Sequence, residues 1–328
     1  MRAMILAAGY GTRLWPLTID RAKPALPFMG RPLVGYVAEY LARHGCREVA
    51  VNLHHRPESV RAALGDGSRF GVRLSYVEEP TILGTSGALD NAREFFAKDE
   101  PFAVVNGKIA TDIDLHAALG THREAGALAT LVLRENAARE RYSTVDVRGG
   151  LVLGFGAHPQ TSDHAGGAGV PLMFTGIQIL EPRIFEFIPR GVFSHTTTDV
   201  YPQAIARGEK IAAHVAGGKW YELSTIPRYL DTSVALMRDE QRAVETGTGS
   251  RVEPGAEVSD AVLWEDVRVE PGARVRRAVL GAGVEVRSGD DFEDVAVVRA
   301  ELVRGSERPA KALDGETRGD NFVVKLPR

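Results

Sequence analysis

Two glycines and two cations near the amino terminus define the chemistry open to this chain. Gly9 and Gly11, in the run Leu6-Ala7-Ala8-Gly9-Tyr10-Gly11-Thr12-Arg13, directly follow a short apolar stretch. That order places backbone amides at the C-terminal edge of a sheet, where they can face an anion. Arg13 adds a planar multidentate donor, and Lys23, ten residues later, adds a point charge. Cations so placed stabilise the charge that develops on phosphorus oxygens and leaving group in phosphoryl or nucleotidyl transfer. Leu14 stands where a dinucleotide fingerprint needs its third glycine, so hydride transfer is not supported. Asn106-Gly107-Lys108 is not a Walker loop either, because Phe102 replaces the first glycine and Ile109 follows the lysine.

The other reactive side chains read as structural. His54-His55 has no third metal ligand placed by spacing, and His116 and His122 share a helix without facing each other. His195 and Asp199 bracket a threonine run and fit capping of the helix that follows. Asp114 directly precedes a helical pattern and reads as its N-cap, leaving Asp112 as the nearby carboxylate that can reach inward. Trp15 and Trp220 suit a pocket wall and core packing equally. Cys46 is the only cysteine, which excludes an intrachain disulfide or a cysteine zinc cage and fits a reducing cytoplasm.

Forty Lys and Arg balance 43 Asp and Glu across 328 residues, so no basic surface points to nucleic acid. Hydrophobic residues at 44% and charged ones at 25% exclude a mainly disordered chain. No apolar run approaches the ~20 residues of a membrane span, and the start shows no export signal.

Up to about residue 135, short Val-, Leu-, Ile- and Ala-rich runs alternate with amphipathic helical patterns, as in β-α units of a parallel sheet. The spacing predicts strands over 2–7, 48–52, 73–77, 102–105 and 129–133, and helices over 32–44, 57–64, 85–96 and 115–125. A hairpin is expected from 143–147 and 151–155, then a Gly-, Ala- and His-rich loop through Gly169. Strands at 174–180 and 211–215 follow, with helices near 183–188, over 198–207 and from Pro227 to about Glu245. After a Gly247-Gly249 linker, VEPGAEVSDAVLWEDV at Val252 returns seventeen residues later as VEPGARVRRAVLGAGV at Val269, and a third copy begins at Val286. Three turns of a β-helix are predicted, with valines stacked inward and glycines at the corners. The divisions are 1–246, 250–305 for the repeat, and a tail over 306–328.

The stretch LAAGYGTRLWPLTIDRAKPALP, from Leu6 to Pro27, resembles the signature of sugar-1-phosphate nucleotidyltransferases. Glu79-Pro80, LGTSGAL at Leu83 to Leu89, Asn106-Gly107, Thr175-Gly176 and the segment from Trp220 to Tyr229 follow in family order. The resemblance implies an α/β, Rossmann-like nucleotidyltransferase domain with a mainly parallel sheet, and the repeat is similar to the left-handed β-helix attached to many members. It further implies that Leu6, Ala7, Ala8, Gly9, Gly11, Thr12 and Arg13 wrap a nucleotide, with Arg13 and Lys23 acting on its phosphates. Glu79, Gly84, Thr85, Asn106 and Gly107 join the nucleotide site, and Thr175 and Gly176 line a sugar pocket. The implied substrates are an NTP and a sugar-1-phosphate, with Mg²⁺ the usual cofactor. Mannose-1-phosphate with GTP is the first pair to test.

Three positions depart from the family pattern. Lys108 stands where Asn-Gly-Asp supplies a metal-binding carboxylate. Trp-Tyr-Glu-Leu-Ser-Thr at 220–225 replaces Trp-x-Asp-Ile-Gly-Thr, leaving Glu222 as the available oxygen ligand. The Glu-Lys-Pro segment that commonly holds the sugar phosphate is absent, Gly156 to Gln160 reading GAHPQ. Lys108, paired with Glu222, is therefore expected to substitute for part of the metal's charge, with Asp112 the alternative ligand. A catalytically impaired regulatory relative is the competing expectation, and a homo-oligomer is expected from the open ends of the repeat.

Overall fold

A computed structural model describes residues 1–97, 100–156 and 169–327. Most of the predicted Gly-, Ala- and His-rich loop, including 157–160 of the GAHPQ segment, lies outside the described residues. The chain divides into two compact units. The first comprises Met1–Ala8, Tyr36–Pro57 and Leu64–Trp220, and the second Gly9–Gly35, Glu58–Ala63 and Tyr221–Arg328. The division differs from a simple N-to-C split, because the glycine-rich loop belongs with the C-terminal repeat.

The first unit is built on nine strands: β1 (Ala3–Leu6), β2 (Glu48–Leu53), β3 (Arg73–Glu78), β4 (Phe102–Asn106), β5 (Ala129–Glu135), β6 (Val145–Arg148), β7 (Leu151–Phe155), β8 (Leu172–Leu180) and β9 (Ile211–Val215). Their order is β3-β2-β1-β4-β8-β5-β9-β7-β6. The run β3-β2-β1-β4 is parallel, and β9 pairs parallel with β5. β8 enters antiparallel between β4 and β5, and β6 and β7 form the expected hairpin. β1 is buried on both faces, which explains its continuous apolar sequence. Up to residue 239 the chain also forms helices α1 (Leu33–Arg43), α2 (Pro57–Leu64), α3 (Gly84–Asn91), α4 (Leu115–Ala125), α5 (Tyr201–Ala206) and α6 (Ile226–Asp239), besides shorter strands and 3₁₀ turns. Asp114 caps α4 by accepting from the amides of His116 and Ala117. The core contains Met4, Leu89, Val104, Leu131 and Leu180 together with Phe96, Phe102 and Phe185. The last three rings stack in sequence, with Phe96 and Phe102 centroids 4.2 Å apart.

His122 is a buried imidazole in the last turn of α4, with Nδ1 2.9 Å from the Thr130 hydroxyl and Nε2 3.1 Å from Glu181. Burial lowers its pKa, and Glu181 offsets part of that shift. The folded state therefore holds fewer protons than the unfolded chain once pH falls below the ordinary histidine value of about 6.5. Stability is fully present above that pH and declines below it, by at most about 1.4 kcal/mol per unit from one group. The denaturation midpoint is expected to fall between pH 7.5 and 5.5, and His122→Gln to flatten that slope.

The second unit confirms the repeat at residue level. β11 (Arg251–Val252), β13 (Arg268–Val269) and β15 (Glu285–Val286) pair in parallel, as do β10 (Val244–Thr246), β12 (Glu257–Leu263), β14 (Arg274–Leu280) and β16 (Asp291–Arg299). Val252 lies beside Val269 and Val269 beside Val286, and Val258 beside Val275 and Val275 beside Phe292. Each partner is seventeen residues away, the geometry of successive coils of a left-handed β-helix. Gly255, Gly272 and Gly289 form one left-handed corner, and Asp260, Arg277 and Asp294 form another without glycine. Arg277 is held there by ion pairs to Asp294 and Asp231.

Two expectations are corrected here. The helix predicted to reach Glu245 ends at Asp239, because Val244–Thr246 joins the coil sheet beside Ala261–Leu263. Residues 306–328 are not merely a tail. β17 (Gly315–Arg318) and β18 (Asn321–Lys325) form a hairpin whose β18 pairs antiparallel with β16, completing the sheet.

Candidate functional site

The end of β1 is fixed by a chain of buried hydrogen bonds. The Ala7 amide donates to Asn52 Oδ1 at 2.7 Å, and Asn52 Nδ2 donates to Glu79 Oε1 at 2.7 Å. The second Glu79 oxygen accepts from the Leu83 amide at 3.0 Å. Asn52 and Glu79 are each only 3% exposed, so the Glu79 carboxylate is committed to protein donors. Burial pushes its pKa up, against the opposing effect of the Asn52 and Leu83 donors. Asn52 was not singled out from the sequence. An asparagine ending a hydrophobic parallel strand was the available signal, since its amide must find partners when buried.

α3 is braced by the segment from Val192 to Thr196. The Ser86 and Gly87 amides donate to the Ser194 carbonyl at 3.1 and 3.3 Å, and the Thr85 amide donates to His195 Nδ1 at 3.2 Å. These first-turn amides are thus occupied, which removes them as phosphate donors. Gly84 has φ +75°, and a Cβ there would lie 2.4 Å from the Ser194 carbonyl oxygen, so only glycine fits. Asp199 accepts from the His195 amide at 2.6 Å, but neither side chain caps the helical turn Thr196–Val200 or the helix Tyr201–Ala206, so the expected capping role is not observed.

Asn106, Gly107, Thr175 and Gly176 are brought together. The Gly107 amide donates to the Leu6 carbonyl at 2.9 Å, and Gly176, with φ +83°, lies against the Asn106 side chain. Thr175 and Gly176 sit at the irregularity where β8 shifts register against β5. The Thr175 hydroxyl donates to the Val132 carbonyl at 2.7 Å, and Trp220 Nε1 donates to the Thr175 carbonyl at 3.1 Å. Lys108, half-buried, occupies the turn after Asn106-Gly107. Asp112 accepts from the Lys219 amide at 2.6 Å and so fastens a loop.

In the second unit the glycine-rich loop folds back on itself. The Leu14 amide donates to the Gly11 carbonyl at 2.8 Å, closing the short 3₁₀ turn Thr12–Leu14. Gly11 has φ +65°, and a Cβ there would lie 3.0 Å from both Lys23 Cβ and Thr18 Cγ2. This approach sets the root of Lys23 beside the turn that carries Arg13. Arg13 is exposed and has no partner among the described residues. Trp15 is only 5% exposed and meets Phe322 of β18 edge-on, with ring centroids 5.5 Å apart. Arg21 pairs with Glu265 at 2.5 Å and lies over the Trp264 ring. Trp264 Nε1 donates to the Tyr229 hydroxyl, which donates to the Pro27 carbonyl. The β-helix is therefore a wall of the loop, and Trp15 is a core residue of this unit.

The buried Glu222 carboxylate accepts from the Ser224 hydroxyl at 2.5 Å, with Arg228 Nη1 4.0 Å away. Among the described residues no group of three or more His, Cys, Asp or Glu is arranged to hold a metal. With a lysine at 108, Asp112 engaged by an amide and Glu222 by Ser224 and Arg228, the donors present do not fit a Mg²⁺ cage. No helix among the described residues is long and apolar enough to cross a membrane.

Residues 2–239 match the nucleotidyl transferase family, and residues 242–292 match the GlmU-like C-terminal hexapeptide family. The chain is 31% identical, over 81% of its length, to UTP–glucose-1-phosphate uridylyltransferase from Synechocystis sp., covering 71% of that protein. It is 35% identical, over 70% of its length, to N-acetylmuramate alpha-1-phosphate uridylyltransferase from Neisseria meningitidis, covering 95% of it. A mannose-1-phosphate guanylyltransferase from Mycobacterium tuberculosis is 27% identical, with 81% of this chain and 80% of that protein covered. Among solved structures, a Bacillus anthracis chain assigned as a glucose-1-phosphate thymidylyltransferase superposes with TM-score 0.63 at 22% identity, covering 73% of this chain and 96% of that one. That likeness supports the fold.

Proposed function

Because the chain belongs to the nucleotidyl transferase family, we propose that it transfers a nucleotidyl group from an NTP to a sugar-1-phosphate. A phosphate oxygen of the sugar-1-phosphate attacks the α-phosphorus, the bond from that phosphorus to the bridging oxygen of the β-phosphate breaks, and pyrophosphate leaves. Arg13 and Lys23 stabilise the charge on the transferring and departing phosphates. Glu79 holds the start of α3 through the Leu83 amide, Gly84 and Thr85 serve the base and ribose, and Thr175 and Gly176 serve the sugar. The observation that carries the reading is the Gly11 turn, closed against Lys23 with an exposed Arg13 that has no partner among the described residues.

Lys108 supplies positive charge where, among the described residues, no group of three or more His, Cys, Asp or Glu is arranged to hold a metal. The relatives act on different bases and sugars, and the guanylyltransferase supports mannose-1-phosphate with GTP as the first pair. The test is pyrophosphate release from four NTPs crossed with a panel of sugar-1-phosphates, with Mg²⁺ and again with excess EDTA. Turnover by one pair that survives EDTA is the expected result, and Lys108→Asp is expected to make turnover Mg²⁺-dependent. An unchanged metal response in that variant removes the role assigned to Lys108. The lysine also favours a second reading, a regulatory relative that binds nucleotide sugar without turnover. Silence across the panel with tight nucleotide-sugar binding selects it.

A further inference from the structure

The first turn of α3, entered at Leu83, has little hydrogen-bonding capacity left on its leading edge. Leu83 donates to Glu79, Thr85 to His195, and Ser86 and Gly87 to Ser194. The group that supplies a donor there must come from outside the turn.

We infer that His195 is a nucleotide-recognition residue, its Nδ1 bracing the Gly84-Thr85 turn and its Nε2–H donating to an acceptor on the base or ribose. The inference rests on the reading that Gly84 and Thr85 serve the base and ribose. The tautomer follows from the bonds. The Thr85 amide can only donate, so Nδ1 carries the lone pair and a neutral ring bears its proton on Nε2. The Thr85 hydroxyl accepts from the Thr196 amide at 2.9 Å and lies between the Thr196 hydroxyl, 3.3 Å away, and Nδ1, 3.4 Å away, so the tautomer rests on the Thr85 amide. Nε2 has no hydrogen-bond partner among the described residues.

The ring is half-buried and held from two sides. Phe193 meets it nearly perpendicular, with centroids 4.9 Å apart, and Asp199 ties down its backbone amide. Gly84 places no side chain beside Nδ1, which lies 3.2 Å from where a Cβ would be. A donor with a fixed tautomer on a braced ring loses little conformational freedom when it binds, so it favours one acceptor geometry.

Asparagine and glutamine separate the two roles, because asparagine imitates Nδ1 and glutamine imitates Nε2. Nucleotide affinity is measured by calorimetry on the full chain with each of the four NTPs, and amide hydrogen exchange is followed at Thr85. His195→Asn is expected to keep the Thr85 amide protected while weakening binding of the preferred NTP roughly tenfold. His195→Gln is expected to speed exchange at Thr85 while keeping affinity within about threefold, and His195→Ala to lose both properties. Wild-type affinity in His195→Asn overturns the recognition role alone. Failure of the wild-type chain to bind any of the four NTPs overturns the underlying functional reading, and the recognition role with it.

Discussion

Replacing Arg13 by alanine is expected to lower turnover by about 10²–10³-fold, the usual cost of removing a preorganised donor from a developing charge. The side chain is exposed and unpartnered among the described residues, so the thermal midpoint is expected to stay where it is. That combination distinguishes chemistry from folding. Arg13→Lys is expected to recover only part of the loss, since an ammonium keeps the charge without the planar fork. Lys23→Ala is expected to match Arg13→Ala in size, and the double variant to lose less than the product of the two, as for groups that act on one charge. Steady-state pyrophosphate release beside a thermal melt checks all four variants. Near-wild-type turnover in Arg13→Ala would contradict the role given to the glycine-rich loop.

Phe322→Ala carries the second large effect. Phe322 is 8% exposed on β18 and closes over Trp15, two residues beyond Arg13. Truncating a buried phenylalanine costs about 3 kcal/mol or more through lost burial and the cavity left behind. The thermal midpoint is expected to fall, and the loss of a wall beside Trp15 to loosen the Arg13 turn. A catalytic cation displaced by a fraction of an ångström loses most of its value, so turnover is expected to drop roughly tenfold beyond what the melt explains. Phe322→Leu restores most of the apolar volume and is expected to recover both properties in large part. Turnover that stays wild-type in the alanine variant, with a lowered midpoint, would separate the loop from the hairpin.

Much of this organisation is legible in the residues. β1, β2, β4 and β5 are short, mostly buried and apolar, and the α4 cap is a single aspartate before a periodic segment. The seventeen-residue register is visible because valines at 252, 269 and 286 repeat without slippage. The Asp260, Arg277 and Asp294 corner is hidden, since a left-handed residue other than glycine has no obligatory letter. Val244–Thr246 was hidden for a related reason. Three residues after a long amphipathic helix read as its continuation until the neighbouring coil supplies the pairing. In the site, glycines mark positions of close approach, so Gly11, Gly84 and Gly176 point to their places. Asn52, Ser194 and His195 act through tertiary partners 27 to 110 residues away, and nothing local in the sequence specifies such bonds.

The partnership of Trp15 with Phe322 also orders events during synthesis. A polypeptide emerges from the ribosome N-terminus first, at roughly 5–20 residues per second, so the loop bearing Arg13 and Lys23 is made early. Its aromatic neighbour is made 307 residues later. Through most of translation the loop exists without one of its walls, and a nascent chain halted before residue 322 has Arg13 and Lys23, the cations proposed to act on phosphate, but not the contact between Trp15 and Phe322. The transfer proposed above is thus expected only once elongation has reached the last hairpin.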